Sequence, residues 1–216
     1  MAADCQSEDL VALQARVDQI ARDLFAGPGW TRHAPVVRVD PRIGGGLRAM
    51  ASTHDGVGLI RISPAVAAEP EDYLRATLAH EAGHIALGHH RASHAGWALA
   101  IGIPLWALAI ACCVIGVQHS TTGQTSLWFG LALIPALVAL RLIVIPSRRS
   151  ELAADQWSTS LIGVDAVLRT LQHLHDERSP LARLAAGIGM DTHPSPRQRA
   201  RHVQQPSPPR RRRLWR

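Results

Sequence analysis

The stretch "LAHEAGHIALGHH", residues 78–90, decides the fold because it sets four histidines within thirteen residues of a predicted helix. Its residues 80–84 form the pattern H-E-x-x-H. Residues four apart share one face of a helix, so His80 and His84 can both direct a ring nitrogen at one metal ion. Zinc is commonly bound by imidazole. Glu81 lies to one side of the helix face that carries the two histidines, where it can take a proton from water. The stretch therefore predicts two zinc ligands and a general base.

A catalytic zinc needs a third protein ligand, and the sequence offers two candidates. His90 stands where the pattern H-E-x-x-H-x-x-G-x-x-H has its third histidine, but Leu87 occupies the position of that pattern's glycine. Glu151 opens the stretch "ELAADQW", with Asp155 one helical turn later. In this second alternative Glu151 completes a His-His-Glu site, and Asp155 hydrogen-bonds a ligating histidine.

Two apolar runs follow the histidine-rich stretch. Residues 95–117 carry no charge, and residues 127–145 carry only Arg141. At about 1.5 Å per residue, the first run exceeds the roughly 30 Å hydrocarbon core of a bilayer and the second just reaches it. The loop between the runs lacks arginine, whereas the outer flanks carry it. The sequence thus predicts a two-helix transmembrane hairpin with both chain ends in the cytoplasm. Two buried core helices are the alternative.

The remainder predicts a small α+β unit built around this hairpin. Apolar residues at helical spacing predict an amphipathic helix near residues 9–25. Strands are predicted for "VVRV", "LRAMAS" and "GLIRIS", with "HDG" as the turn between the last two. After the hairpin, helices are predicted over residues 150–163, 165–177 and 181–186. The predicted fold class is α+β, a mainly helical peptidase domain with a small β-sheet, interrupted by the hairpin. The predicted parts are residues 1–94, 95–146, 147–203 and 204–216.

The charge of the chain is concentrated at its end. All 23 basic residues are arginine and the formal net charge is +6, of which five positive charges lie within residues 210–216. The rest is close to neutral, so no nucleic-acid-binding face is predicted. The tail is predicted to be solvated and disordered, with a contact to anionic lipid as the alternative. Three cysteines are too few for a disulfide framework and fit a reducing compartment. The acidic first residues do not form a signal peptide.

Three motifs in a fixed order carry a family resemblance. H-E-x-x-H, an apolar hairpin and E-L-x-A-D together resemble the integral-membrane zinc metallopeptidases that include HtpX and the CAAX prenyl endopeptidases. The late stretch "DTHPSPRQRARHV", residues 191–203, is similar to that family's T-H-P-S-P-x-x-R motif. The similarity covers roughly residues 47–203.

This resemblance implies roles for named residues. It implies one Zn²⁺ per chain bound by His80, His84 and Glu151. It also implies that Glu81 is the general base, that Asp155 orients a ligand, and that His193 lies near the site and donates to the developing oxyanion. The predicted sheet fits that of the family, and its edge can hold an extended peptide by strand addition.

The sequence as a whole predicts a membrane-anchored zinc metalloendopeptidase of the bacterial inner membrane, with its active site in the cytoplasm. Its expected partners are the lipid bilayer and a protein or peptide substrate that is membrane-embedded, membrane-proximal or misfolded. A non-catalytic membrane scaffold that retains the peptidase fold is the alternative from another class. A peripheral protein with buried apolar helices is the third. His89, His90 and His94 are predicted to be simple polar residues beside the membrane.

Overall fold

The computed structural model describes residues 2–27, 29–30, 32–43, 48–89, 94–119, 122–177 and 193–205. Over these residues the chain is mainly helical and has one small sheet. The helices are α1 (Ala2–Phe25), α2 (Pro64–Ala68), α3 (Glu71–Leu87), α4 (His94–His119), α5 (Thr122–Ile162), α6 (Val164–Glu177) and α7 (Pro196–Gln204), with a 3-10 turn at Pro41–Ile43. The strands are β1 (Val36–Val39), β2 (Ala49–His54) and β3 (Val57–Ile62).

The three strands form a sheet in the order β1-β3-β2. Strand β3 pairs parallel with β1 and antiparallel with β2. The turn between β2 and β3 has positive φ at both Asp55 (50°) and Gly56 (82°), as expected for the tight Asp-Gly hairpin turn that the sequence predicted. Strand β2 is an edge strand because it stands last in the order β1-β3-β2.

One hydrophobic core joins the sheet to the helices. Val17 and Ile20 of α1, Ile60 of β3, and Leu74 and Leu78 of α3 are at most 5% exposed and belong to one packed cluster. Their spacing is that of one helix face in α1 and α3 and of one sheet face in β3. This packing fixes α3 along its length, and therefore fixes the histidines near its end.

Helix α5 continues unbroken from the apolar hairpin into the core. It runs for 41 residues, whereas a separate helix was predicted to begin near residue 150. At its far end Trp157 packs edge-on against Trp30, with ring centroids 5.5 Å apart. The predicted helix over residues 181–186 and the basic tail after residue 205 lie outside the described residues.

The predicted transmembrane hairpin is wrong. Helices α4 and α5 do pack together, but in the described part of the chain no helix is long and apolar enough to cross a membrane. Pro104 lies inside α4 and Arg141 lies inside the apolar run of α5. The predicted multi-pass location in a bacterial inner membrane rested on this hairpin and is corrected with it.

The alternative prediction, that the two apolar runs form helices buried in the core, does not agree with the exposure of α4 and α5 either. Several of its apolar side chains whose exposure is described are open to the surroundings, including Ile103 (63%), Leu108 (54%) and Ile134 (60%). Ala109, by contrast, is buried. The hairpin therefore packs through part of its surface only.

A second, smaller cluster holds the last described helix in place. Val167 and Leu171 of α6 pack against Val203 of α7, and all three are at most 6% exposed. Helix α7 begins with a capping box, in which Ser195 and Gln198 bond each other's backbone N–H groups. Both features orient α7 so that Arg199 points into the core.

Candidate metal centre

Helix α3 brings His80 and His84 together as the H-E-x-x-H spacing predicted. Their Nε2 atoms are 3.2 Å apart and their rings lie edge to face, with centroids separated by 4.8 Å. Both side chains are about 15% exposed or less. The two nitrogens therefore face one point at the border of the core.

Helix α5 delivers Glu151 to the same point. One carboxylate oxygen lies 3.3 Å from His80 Nε2 and the other lies 3.3 Å from His84 Nε2. Among the described residues these three side chains form a group whose ligand atoms all lie within 4.8 Å of one another and could hold a metal ion. His90, the alternative third ligand, lies outside the described residues.

The donor atoms converge on one point, as the ligands of a zinc ion do. Zinc binds histidine nitrogen and carboxylate oxygen at about 2.0–2.1 Å in a tetrahedron, whose corners are then about 3.3 Å apart. The two histidine Nε2 atoms are 3.2 Å apart, and each lies 3.3 Å from a different carboxylate oxygen of Glu151. With one donor atom taken from each residue, all three atoms lie within 4.8 Å of one another. Two imidazoles and one carboxylate also match the donor set of catalytic zinc sites that keep a fourth position for water. The residues present therefore fit a zinc ion.

Gly83 allows the two helices to approach closely enough for this geometry. A Cβ atom at this position would lie 2.9 Å from the Ala154 carbonyl oxygen and 3.2 Å from its Cα. Any residue larger than glycine would push α3 away from α5. The glycine between the two histidines of the H-E-x-x-H pattern is therefore part of the candidate site, although the sequence did not indicate a role for it.

The carboxyl group of Glu151 is ionised. Burial alone would raise its pKa, but hydrogen bonds from His193, His80 and His84 lower the pKa far below its ordinary value. For His80, burial and the Arg199 charge lower the pKa, yet hydrogen bonds with Asp155 and Glu151 outweigh them and raise it to about 9. In the absence of a bound cation, His80 therefore carries the positive charge that balances Glu151.

Asp155 lies behind His80, one turn after Glu151 on α5. It is 1% exposed, and its Oδ1 lies 2.9 Å from His80 Nδ1. This contact holds the Nδ1 proton and leaves Nε2 as the nitrogen that faces Glu151. Asp155 stands where the sequence predicted a residue that orients a ligand.

Arg199 of α7 pairs with the Asp155 carboxylate. Its Nε donates to Asp155 Oδ2 at 2.6 Å and its Nη2 donates to Oδ1 at 2.5 Å. The Arg199 guanidinium, itself 10% exposed, keeps the pKa of the Asp155 carboxyl low against its burial. The sequence identified Arg199 only as the last residue of a motif. Its partner Asp155 could not be predicted, because the pairing depends on how the fold buries both side chains.

Glu81 and His193 both border the cavity in front of the metal-binding group. This cavity has a volume of about 470 Å³, and His80, Glu151 and Arg199 also line it. His193 Nδ1 lies 3.2 Å from Glu151 Oε2, and the His193 side chain is 55% exposed. The structure thus brings together all six residues that the sequence singled out, from α3, α5 and the segment before α7. Thr192 of the same motif lies outside the described residues.

A mainly helical fold with H-E-x-x-H on one helix and a glutamate from another defines a class of metallopeptidases. Within this class, the model of peptidase family M48 matches residues 59–207, more than half of the chain. The chain therefore belongs to peptidase family M48, and the family predicted from its motifs is confirmed. A comparison with curated proteins and one with solved structures each found no match.

Proposed function

We propose that this chain is a zinc-dependent endopeptidase in which His80, His84 and Glu151 hold the metal and Glu81 is the general base. Membership of family M48 makes it a metallopeptidase that acts on protein or peptide substrates. The observation that supports the finer assignment is the convergence of three donor atoms from two helices, which all lie within 4.8 Å of one another. No other group of His, Cys, Asp or Glu in the described residues has comparable geometry.

Glu81 carries the proton-transfer role in this proposal. A zinc ion held by the three ligands supplies a Lewis acid for the scissile carbonyl and lowers the pKa of water towards about 7. Glu81 takes one proton from the attacking water and afterwards delivers it to the nitrogen of the leaving amine. The C–O bond forms first, as the carbonyl π bond opens and its oxygen gains negative charge. The C–N bond then breaks as the carbonyl re-forms and the protonated amine leaves, so one water is consumed for each peptide bond. Asp155 and Arg199 keep His80 oriented throughout.

His193 is proposed to bind the substrate carbonyl oxygen. It lines the cavity, is the most exposed of the site side chains, and is oriented by Glu151. A hydrogen-bond donor in this place stabilises the negative charge that develops on the oxygen during attack. Its role is therefore strongest in the transition state, and its loss should lower kcat more than it raises KM.

The cavity and the sheet edge favour an extended substrate. Ala49 and Met50 of the edge strand β2 line the cavity together with the catalytic side chains, and apolar residues of α3 and α6 form its other wall. A peptide added alongside β2 would pass the site with chain on both sides of the scissile bond. This arrangement supports cleavage of internal peptide bonds in unfolded segments.

The first prediction tests the general base. We expect Glu81→Gln to keep about one zinc per chain and to lose hydrolysis of an unfolded protein such as casein by about 10²–10⁴-fold. Glutamine preserves the shape of the side chain but cannot take the proton. The measurements are zinc content by elemental analysis and cleavage rate by fluorescence of a labelled substrate. Glu71→Gln is the matched control, because Glu71 lies on the same helix and its side chain is 61% exposed.

Two results would contradict the proposal. Full activity in Glu81→Gln would remove the general base from the mechanism. A wild-type protein that binds zinc but cleaves no unfolded protein would favour a non-catalytic protein that retains the peptidase fold.

A further inference from the structure

The second metal-ligand histidine makes a contact that the mechanism so far does not use. His84 Nδ1 lies 3.1 Å from His89 Nδ1, and the two rings meet at 63° with centroids 5.3 Å apart. The other nitrogen of His84, Nε2, faces Glu151 and His80. His84 is therefore held from both sides of its ring.

The end of helix α3 places His89 in this position. Gly88 adopts the left-handed conformation with φ of 72°, and the backbone N–H of His89 returns to the carbonyl oxygen of His84 at 3.0 Å. This helix-ending turn favours glycine because other residues are strained at positive φ. It folds the chain back over the last turn, so His89 lies beside the residue five positions earlier.

With a metal at His84 Nε2, the contact would specify the tautomer of both rings. For Nε2 of His84 to offer its lone pair to a metal, the ring proton must be on Nδ1. That N–H needs an acceptor, and the atom at 3.1 Å is Nδ1 of His89. His89 accepts when its own ring proton is on Nε2. One hydrogen bond thus determines which nitrogen of His84 is available.

We propose that His89 is a positioning residue for the metal ligand His84. It accepts the Nδ1–H of His84, as Asp155 accepts that of His80. This inference rests on the proposed zinc site and extends it to a pair of supporting residues, one for each histidine ligand. His89 is not itself a ligand, because it contacts the side of His84 that faces away from Glu151. Such supporting contacts commonly change metal affinity by about 10–100-fold.

The test compares two substitutions of the same shape. In asparagine, the side-chain oxygen occupies nearly the position of Nδ1 and can accept the hydrogen bond, whereas leucine cannot. We expect His89→Leu to bind zinc about 10–100-fold more weakly and His89→Asn to bind it nearly as tightly as the wild type. Zinc affinity is measured by competition with a chromophoric chelator, and folding by thermal unfolding of the metal-free proteins. His54→Ala, at a side chain that is 88% exposed, controls for loss of a histidine.

Each other outcome has a definite meaning. Wild-type zinc affinity in His89→Leu would overturn the inference, as would equal weakening in both variants. An unfolded His89→Leu beside a folded His89→Asn would assign His89 to fold stability and overturn its role at the metal. A wild-type protein without zinc affinity would instead overturn the proposed function, which separates the two failures.

Discussion

Asp155 is the residue on which the orientation of His80 depends. It lies in the core, accepts two hydrogen bonds from the buried Arg199 and contacts His80 Nδ1. The Asp155 carboxylate thus contacts Arg199 and His80 at the same time. Together with the direct approach of Arg199 to His80 Nδ1 at 3.3 Å and to Glu151 at 4.0 Å, Asp155 connects the candidate metal-binding group to α7.

At the residue scale we first predict the effect of Asp155→Asn. The amide keeps the shape but removes the carboxylate that pairs directly with the buried Arg199, which should cost about 3–5 kcal/mol of unfolding free energy. Zinc affinity should also fall by about 10–100-fold. Denaturant unfolding and chelator competition measure the two effects. Asp23→Asn, at an exposed position of α1, is the control, and wild-type zinc affinity in Asp155→Asn would remove Asp155 from the site.

The pKa of His80 gives a second prediction at this scale. Its value of about 9 means that the metal-free protein holds a proton on His80 at neutral pH. Zinc must displace this proton, so apparent zinc affinity should rise with pH through neutrality and level off near pH 9. Calorimetry at pH 7.5 in two buffers of different ionisation enthalpy should show release of about one proton. Zinc binding without proton release would mean that His80 is neutral before the metal arrives.

At the scale of elements, the contact between α3 and α5 decides whether a metal site exists. The histidines come from one helix and Glu151 from the other, and Gly83 lies where the two backbones are closest. A helix interior normally favours alanine over glycine by about 1 kcal/mol. The close approach therefore reverses the usual preference at this position.

We predict that Gly83→Ala separates the helices and weakens the site. The added Cβ, 2.9 Å from the Ala154 carbonyl oxygen, should cost about 1–3 kcal/mol through overpacking and lower zinc affinity by moving Glu151. Thermal unfolding and zinc content are the measurements. Gly27→Ala is a suitable control, because its Cβ would meet only the Leu24 carbonyl oxygen at 3.7 Å. A stabilised Gly83→Ala that retains its zinc would contradict this account.

At the scale of the whole molecule, the proposed metal site connects the main hydrophobic core with the smaller cluster formed by α6 and α7. Helix α3 belongs to the main core, α7 is held by the smaller cluster with α6, and α5 contacts both. The ligands and their supporting residues come from these three helices. A bound cation should therefore stabilise the molecule as a unit.

Metal removal tests this view. A ligand present at 1,000 times its Kd stabilises the folded state by about 4 kcal/mol, which for a chain of this size corresponds to roughly 8–16 °C in Tm. We expect a chelator to lower the Tm of zinc-loaded wild type by that order. Glu151→Gln is the control and should show little dependence on zinc. A wild-type Tm that is insensitive to zinc and chelator would argue against a metal that bridges α3 and α5.

The sequence predicted local features well because their geometry is local. His80 and His84 share a face through helix periodicity alone, and Asp55-Gly56 forms a tight turn because both residues tolerate positive φ. The role of His89 was also within reach, since glycine followed by histidine after a helix signals a folded-back end. From the sequence, however, His89 was predicted to be a simple polar residue beside a membrane.

The predicted transmembrane hairpin shows that a local pattern of apolar residues can give a wrong prediction. Apolar runs of suitable length predicted membrane spans, but length and composition over a run do not determine what a helix packs against. In the structure the same segment pairs as α4 and α5, and α5 continues for 41 residues into the core. The parallel pairing of β1 with β3 is likewise a matter of long-range packing that strand propensity does not reveal.

The sequence by itself determined the residue types of the candidate site, two imidazoles and a carboxylate, and it placed the two imidazoles on one face because that follows from the helical repeat alone. Only the tertiary structure decided how closely they meet. The approach of α3 to α5 at Gly83, and the pairing of Asp155 with Arg199 across 44 residues, depend on how distant segments pack. Close packing and burial act between segments, so they give these residues their roles only once the chain has folded.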